Sequence, residues 1–395
     1  MAKAQEMIDA NFLVNLRFGH LAQCNALRNM PRVKESITIQ TLRSSLRSTE
    51  AILWAAGPSL DEAIQECGDN DLWERANQRI NIVADSAIPA MLKTPLHIDI
   101  AASLEAADIK SRMTEGCSED TILLAVSQCH PNTVKNFNHV CFALDPIGLT
   151  GAIYASLNPY LEQFPINFAS YYDVGRFMFV AVRHIWQTMY DMQVRLDGIP
   201  TMIAGMDLVN GHCAGYDPEF TIEFGPQDSK VSDAICRDGK FRESAGCFDA
   251  IAQQWKPSNN MKNEHLTSNI YGCCPWGRKI GTLKTMTEYL DKDIEKTFSP
   301  EMLAKHIGQR KVKFDEKRYR QTIDAVYVFQ SNANYHDFEK GVIPQEVYDE
   351  QERKIVMDSV EKINPYLPEA TSAWGYEPMT IHIPEAGDER LANNN

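Results

Sequence analysis

An apolar run followed at once by Gly-Pro-Ser constrains this chain more than any other feature. Residues 51–64 read AILWAAGPSLDEAI, in which a run with strand character leads into a helix-like pattern. Gly57 lets the backbone approach a ligand closely, Pro58 fixes φ near the helical value, and Ser59 is expected to cap the helix. Free backbone N–H groups and the positive end of a helix dipole would then lie at the carboxyl end of a strand. Phosphate groups bind there in open α/β sheets, so the turn predicts a nucleotide or a phosphorylated ligand.

Short apolar runs alternate with helical stretches beyond this turn. Strands are expected at 51–56, 80–84, 98–103, 121–126, 139–143, 166–169 and 201–204, and helices at 60–65, 86–93 and 174–196. Strands that alternate with crossover helices predict an α/β fold with a Rossmann-like, doubly wound, mostly parallel sheet. The runs are continuously apolar, as expected of strands that are covered on both faces.

The regions around this alternation differ in composition. Residues 1–48 read as a helical N-terminal extension, and residues 49–298 as the Rossmann-like nucleotide-binding catalytic domain. Within that domain, residues 208–280 are rich in Gly, Asp, Asn and Ser, which predicts a long loop or lid. Helical periodicity returns from residue 283, so residues 299–395 are expected to form a helical C-terminal region with a disordered tail.

Charge and cysteine usage argue against several classes of protein. The 395 residues carry 53 acidic and 39 basic side chains, and the net charge of −14 disfavours binding to duplex nucleic acid. No apolar run is long enough to span a bilayer and no signal-peptide core is present, so a cytoplasmic location is expected. The ten cysteines include no C-x-x-C pair, which favours reduced thiols over disulfides or a zinc site.

Acidic side chains follow four of the predicted strands. They are Asp85, Glu105, Asp145 and Asp207. Helix capping or a turn explains any one of them, whereas several beside a Gly-Pro-Ser turn favour a functional crevice, because the carboxyl ends of neighbouring parallel strands converge. Such carboxylates can hold Mg²⁺ against phosphates, accept ribose or sugar hydroxyls, or remove a proton from an acceptor hydroxyl. The sequence does not choose among these roles.

Two further residues are candidates by residue type. His212 lies in the polar stretch after Asp207 and can act as a general base, although a solvent-exposed loop histidine is the commoner state. Arg176, near the start of the helix predicted at 174–196, is the arginine best placed to pair with a phosphate. Most helical arginines are solvated or in surface ion pairs.

The order of the motifs resembles the family that joins motility-associated-factor (Maf) flagellin glycosyltransferases to archaeal 6-hydroxymethylpterin diphosphokinase MptE-like proteins. Its first four motifs are matched by AAGPSLDEAI at 55–64, INIVADSAIPAMLK at 80–93, IDIAASLE at 98–105 and AGMDLV at 204–209. Gly281 and Thr285 match the spacing of a fifth element, G-x-x-x-T. The third motif departs from the family pattern, since Glu105 stands where Asp is usual and Ile98 where Pro is usual.

The resemblance implies a nucleotide site formed by Gly57, Pro58, Ser59, Asp85, Glu105 and Asp207. Arg176 is added to this site on the basis of its residue type and position, not of the resemblance. The favoured chemistry is transfer of a CMP-activated nonulosonic (sialic-acid-like) sugar to a hydroxyl acceptor, such as a protein Ser or Thr, with Asp207 or His212 as the base. The helical extensions favour this reading because they resemble acceptor-presenting additions. The alternative is Mg²⁺-dependent transfer of pyrophosphate from ATP to a pterin alcohol, with Asp85, Glu105 and Asp207 as metal ligands. A second alternative is a non-catalytic member that binds a nucleotide or a partner.

Overall fold

A computed structural model describes residues 24–33, 35–108, 110–143, 174–190, 193–206, 270–273 and 282–300, with isolated residues and short stretches elsewhere. Contacts divide the chain into two compact units. The first unit comprises residues 1–34, 144–163 and 309–395, and its described part includes helical residues 24–33. The second unit comprises residues 35–143 and 164–308 and carries every described strand. Residues 35–48, assigned to an N-terminal extension from the sequence, belong to this second unit.

Most of the described strands form one sheet. In chain order the strands are β1 (Leu46–Ser48), β2 (Ala51–Trp54), β3 (Ile80–Ala84), β4 (Ile100–Ser103), β5 (Ile122–Val126), β6 (His139–Ala143), β7 (Gln187–Tyr190), β8 (Gln193–Gly198), β9 (Thr201–Ala204), β10 (Ile270–Gly272), β11 (Thr282–Leu283) and β12 (Lys296–Phe298). Eight of them pair in the order β11-β10-β9-β2-β3-β4-β5-β6, and every pairing is parallel. Two small antiparallel pairs, β1 with β12 and β7 with β8, complete the described strands.

The direction in which the chain adds strands reverses beside β2. Strands β3 to β6 follow one another outward on one side, whereas β9, β10 and β11 extend the sheet on the other. The switch point therefore lies between β2 and β9, where the connections leave the sheet in opposite directions and ligands bind in folds of this kind. The predicted Rossmann-like, doubly wound parallel sheet is confirmed.

Helices cover the sheet. They are α1 (Ile39–Ser45), α2 (Ser59–Asp69), α3 (Trp73–Asn77), α4 (Ile88–Met91), α5 (Lys110–Met113), α6 (Pro131–Lys135), α7 (Val174–Ile185) and α8 (Met286–Tyr289). Every residue of β2, β3, β4, β5 and β9 is buried, as the continuously apolar runs predicted. Helix α7 contacts β2, β3 and β4, and α2 contacts β9.

The strand predictions fit the structure more closely than the helix predictions. The strands predicted at 80–84, 139–143 and 201–204 have the observed bounds, and the strand predicted at 166–169 lies outside the described residues. The helix predicted at 174–196 is wrong beyond Ile185, where β7 and β8 form a hairpin. Trp186, the first residue after the helix, donates its indole N–H to the Leu46 carbonyl oxygen at 3.1 Å. Aromatic and β-branched residues such as Tyr190 and Val194 follow, and they favour strands.

Two other regions also differ from the sequence-based expectation. Strand β10 lies inside the stretch 208–280 that was predicted as a loop, and the rest of that stretch is outside the described residues apart from Cys213 and Cys273. Within residues 283–299, helical structure is limited to the four residues of α8, and β12 follows. The helical C-terminal region predicted at 299–395 lies largely outside the described residues. Pairing of β12 with β1 provides the tertiary contacts that override the local helical pattern.

Buried charges at the amino ends of the strands are paired with one another. Arg79 is fully buried and donates from Nε to Glu50 Oε2 at 3.1 Å, while Lys292 Nζ lies 3.1 Å from Glu50 Oε1. Asp99 accepts from Lys296 Nζ at 3.0 Å, and burial raises the pKa of Asp99 although Lys296 opposes this shift. These carboxylates connect the sheet to the segment around β12, so they are structural.

Glu66 joins helix α2 to helix α8. Its carboxylate accepts the N–H groups of Met286 and Thr287 at 3.1 and 2.9 Å and the Thr287 hydroxyl at 2.7 Å. Partial burial alone would raise the pKa of Glu66, but these bonds lower it below its usual value. Thr285, from the G-x-x-x-T element, caps α8 by accepting the Glu288 N–H at 3.1 Å.

Replacing Glu66 by glutamine is expected to lower the free energy of unfolding at neutral pH by roughly 0.5 kcal/mol, because the group is partly exposed. Folding lowers the pKa of Glu66, so its stabilisation is present above the usual glutamate pKa and is lost as the pH falls through the lowered value. Denaturant unfolding as a function of pH measures the difference, which should shrink on acidification. The control is Glu115→Gln, at an exposed position; an equal pH-dependent loss in both variants would contradict the assignment.

Candidate functional site

The turns that follow β2 and β9 are bonded to each other at the switch point. The Ala55 N–H donates to the Ala204 carbonyl oxygen at 2.8 Å, and the Gly57 N–H donates to the Gly205 carbonyl oxygen at 2.6 Å. In return, the fully buried Ser59 hydroxyl accepts the Gly205 N–H at 3.2 Å. The G-P-S-L and G-x-D-L motifs, far apart in sequence, therefore form one structural unit.

Gly205 is required by both conformation and space. Its φ is +72°, in the left-handed region, and a Cβ at this position would lie 1.9 Å from the Ala55 carbonyl oxygen. No side chain fits such a close approach between two backbone segments. The glycine of the G-x-D-L turn is thus explained by packing against the neighbouring strand end.

The first turn of α2 differs from the expectation in two respects. Pro58 is the residue that precedes the helix and Ser59 is its first residue, so Ser59 is not the N-cap. The Gly57 N–H is also not among the free N–H groups expected at this turn, because the pairing between β2 and β9 extends into the turn. Leu60 and Asp61 donate their N–H groups to the carbonyl oxygens of Gly57 and Pro58 at 3.0 and 3.2 Å.

Asp85 lies at the carboxyl end of β3, within a buried polar cluster. Its Oδ2 accepts the Ser103 hydroxyl at 2.7 Å, and its Oδ1 accepts the Ser86 N–H at 2.6 Å. The Lys110 ammonium lies 3.6 Å from Oδ1, and its side chain is only 13% exposed. The carboxylate is thus held by a hydroxyl from β4 and an ammonium from α5 at the edge where a nucleotide was predicted.

Cys129 adjoins the same cluster. Its thiol donates to the Ser103 hydroxyl oxygen at 3.5 Å, and burial, with smaller contributions from the charges of Asp85 and Glu105, raises the pKa of Cys129 to about 12. A thiol with such a pKa remains protonated at neutral pH. Cys129 is therefore a buried thiol that packs against Ser103 and donates to its hydroxyl.

Glu105 and His130 lie at the next strand ends. Glu105 is half-buried, and its carboxylate accepts the Ala107 N–H at 3.1 Å, while its carbonyl oxygen accepts the His130 N–H at 2.9 Å. His130 is the N-cap of α6. Its Nδ1 accepts the Asn132 N–H at 3.2 Å and lies 3.1 Å from Asp108 Oδ1. Partial burial alone would raise the pKa of Asp108, but hydrogen bonds and nearby positive groups lower it.

The structure therefore describes only part of the predicted site. It brings Gly57, Pro58 and Ser59 to the switch point, and it brings Asp85 and Glu105 to the ends of neighbouring strands. Asp207, His212 and Asp145 lie outside the described residues, as does the side chain of Arg176, whose backbone belongs to α7. Their assigned roles stay predictions.

Sequence reasoning missed Ser103 and Lys110. Ser103 is the last residue of β4, so its position at the carboxyl edge was a usable signal. Lys110 gave no comparable signal, since it lies on a short helix whose approach to Asp85 depends on the loop between β4 and α5.

Two searches of the described residues gave negative results. Within them, no group of three or more His, Cys, Asp or Glu side chains is arranged to hold a metal ion. Among the helices of the described ranges, none is both long and apolar enough to cross a membrane.

Part of the chain matches the sequence model of a known protein family. A sequence model of the family described as 6-hydroxymethylpterin diphosphokinase MptE-like matches residues 24–209, a range that includes the switch point and the Asp85 cluster. Over these residues the described structure is the α/β sheet with its covering helices. Residues 24–209 are similar to that family.

A solved structure gives a more distant likeness. It is a Maf glycosyltransferase from Magnetospirillum magneticum AMB-1, with 14% identity and a TM-score of 0.38 over 73% of this chain and 42% of that one. This chain therefore spans less than half the length of that protein. No curated protein matches the sequence.

Replacing Gly205 by alanine is expected to destabilise the protein by more than about 3 kcal/mol, because the Cβ would overlap the Ala55 carbonyl oxygen and the φ is unfavourable for alanine. Thermal or denaturant unfolding measures this loss. The matched control is Gly68→Ala in α2, where a Cβ meets nothing within 4 Å. That variant should be about 0.5 kcal/mol more stable than the parent, since alanine favours the helix. Equal stability of the two variants would contradict the described turn.

Proposed function

We propose that this chain is a nucleotide-dependent transferase that moves a CMP-activated nonulosonic sugar to a hydroxyl acceptor such as a Ser or Thr side chain. The match of residues 24–209 to the MptE-like family model supports a transferase that handles a nucleotide. A parallel sheet with a switch point between β2 and β9 supports binding at the carboxyl edge. The identity of the sugar donor is proposed here and goes beyond the family match.

The observation that carries this choice is the environment of Asp85. A carboxylate that holds Mg²⁺ must offer an open oxygen to a strongly hydrated cation. Both Asp85 oxygens already accept hydrogen bonds, and the Lys110 ammonium lies 3.6 Å from one of them. Asp85 is thus poorly suited to bind Mg²⁺ in this arrangement. This favours a donor whose phosphate charge is neutralised by basic side chains rather than by a metal ion.

We assign Lys110 as the basic residue that contacts the phosphate of the donor. In the proposed reaction the bond between the anomeric carbon and the phosphate oxygen of the donor breaks, and CMP leaves with that electron pair. The acceptor oxygen forms the new bond to the anomeric carbon and gives its proton to Asp207 or His212. An ammonium beside the leaving phosphate stabilises the negative charge that develops there. Asp85, itself hydrogen-bonded to Ser103, holds the Lys110 ammonium in position.

The second candidate is transfer of pyrophosphate from ATP to a pterin alcohol, which the description of the matched family favours. It requires Mg²⁺ between the nucleotide and carboxylates such as Asp85, Glu105 and Asp207. The two candidates differ in the nucleotide base and in metal dependence, so binding measurements separate them.

The test is the thermal stability of the full chain with each nucleotide, with and without chelator. A ligand that binds only the folded state raises the apparent melting temperature. CMP or a CMP-sugar in EDTA should raise it, whereas ATP should not. A shift with ATP that requires Mg²⁺, and none with CMP, would overturn the sugar-donor proposal. No shift with any nucleotide would favour a member that does not bind nucleotides.

Replacing Lys110 by alanine should weaken CMP binding by about tenfold or more, because one charge-assisted contact to phosphate is lost. Isothermal titration measures the Kd. Lys110→Arg, which keeps the charge, should retain more affinity than the alanine variant. Arg112→Ala removes an exposed charge from the same helix and should leave the Kd within about threefold of the parent. Equal losses in Lys110→Ala and Arg112→Ala would contradict a direct contact.

A further inference from the structure

We propose that Ser59 is a positioning residue that anchors the segment beginning at Gly205, rather than a ligand of the nucleotide. The inference concerns a residue that the sequence pattern assigned to phosphate binding. Its catalytic consequence rests on the proposed function, whereas its structural consequence does not.

The first step is the geometry of the Ser59 hydroxyl. It is fully buried and accepts the Gly205 N–H at 3.2 Å, so its lone pair is directed toward backbone. The Gly57 N–H donates in the opposite sense to the Gly205 carbonyl oxygen at 2.6 Å. One peptide group on each side of Gly205 is thus fixed by the Gly-Pro-Ser turn.

The second step is a bond at the far end of the same segment. The Cys213 N–H donates to the Ala56 carbonyl oxygen at 2.9 Å, and Cys213 is buried. The Gly-Pro-Ser turn and the residue before it therefore hold both Gly205 and Cys213. Asp207 and His212, the two residues predicted to act on the acceptor, lie in sequence between these two anchors.

The third step is the close packing of Gly205 against the end of β2. A Cβ added at Gly205 would lie 1.9 Å from the Ala55 carbonyl oxygen, so the two backbone segments are in direct contact there. When the Ser59 hydroxyl is removed, the buried Gly205 N–H loses its acceptor and the turn opens more readily. Placement of the catalytic stretch should then suffer before nucleotide affinity does.

The experiment compares Ser59→Ala and Ser59→Thr with the parent protein. Ser45→Ala is the matched control, because it removes another buried serine hydroxyl, which donates to the Thr41 carbonyl oxygen at 2.8 Å. Amide hydrogen exchange at Gly205 is measured by mass spectrometry with single-residue fragmentation. The Kd for CMP, the KM for a CMP-sugar and kcat are measured on the same samples.

We expect exchange at Gly205 to accelerate about tenfold or more in Ser59→Ala and to stay near the parent rate in Ser45→Ala. kcat should fall about tenfold or more in Ser59→Ala, with the CMP Kd and the donor KM within about threefold of the parent. Ser59→Thr keeps the hydroxyl, so its exchange rate and kcat should lie closer to the parent.

Two results would overturn the inference. One is unchanged exchange at Gly205 in Ser59→Ala, whatever the activity. The other is a large rise in the CMP Kd and the donor KM with kcat preserved, because that pattern marks a group that binds the ground state. A parent protein that neither binds CMP nor turns over a CMP-sugar would instead overturn the proposed donor, and the exchange measurement would still decide the role of Ser59.

Discussion

The backbone contact between the Gly57 and Gly205 turns is the constraint on which the rest of the site depends. Parallel pairing of β2 with β9 continues past both strand ends, through Ala55 and then through Gly57. This continuation is feasible only because Gly205 has no side chain and adopts a positive φ. The contact joins the ends of β2 and β9 at the switch point. It positions the first residues of α2 and the first residues of the segment that carries the predicted acceptor base.

Charge at the carboxyl edge is arranged differently from charge at the amino edge. At the amino ends, Glu50 and Asp99 pair with basic residues that attach β12 and its neighbours, so these carboxylates serve the fold. At the carboxyl ends, Asp85 is paired with Lys110 on a short helix beside the predicted nucleotide site. A protein with a net charge of −14 that binds an anionic donor needs a local positive group, and Lys110 supplies one at the expected edge.

The sheet was predictable from the sequence and much of the site chemistry was not. Buried parallel strands are encoded locally as continuous apolar runs, so strands such as 80–84 and 201–204 were predicted with their observed bounds. The hairpin after Ile185 depends on contacts such as Trp186 with Leu46, which no local pattern reports. The sequence pattern singled out the glycines and Ser59 for a nucleotide site. The bond that joins Ser59 to Gly205 spans 146 positions, so it could not be predicted without the fold.

The most direct test of this account is a crystal structure of the full chain with CMP bound in the presence of EDTA. The account predicts the nucleotide at the carboxyl ends of β2, β3 and β4, with its phosphate within hydrogen-bonding distance of Lys110 Nζ and the bond from Gly57 to Gly205 intact. A nucleotide bound away from this edge would contradict it. So would a phosphate seated on the Gly57 N–H with the contact to Gly205 broken.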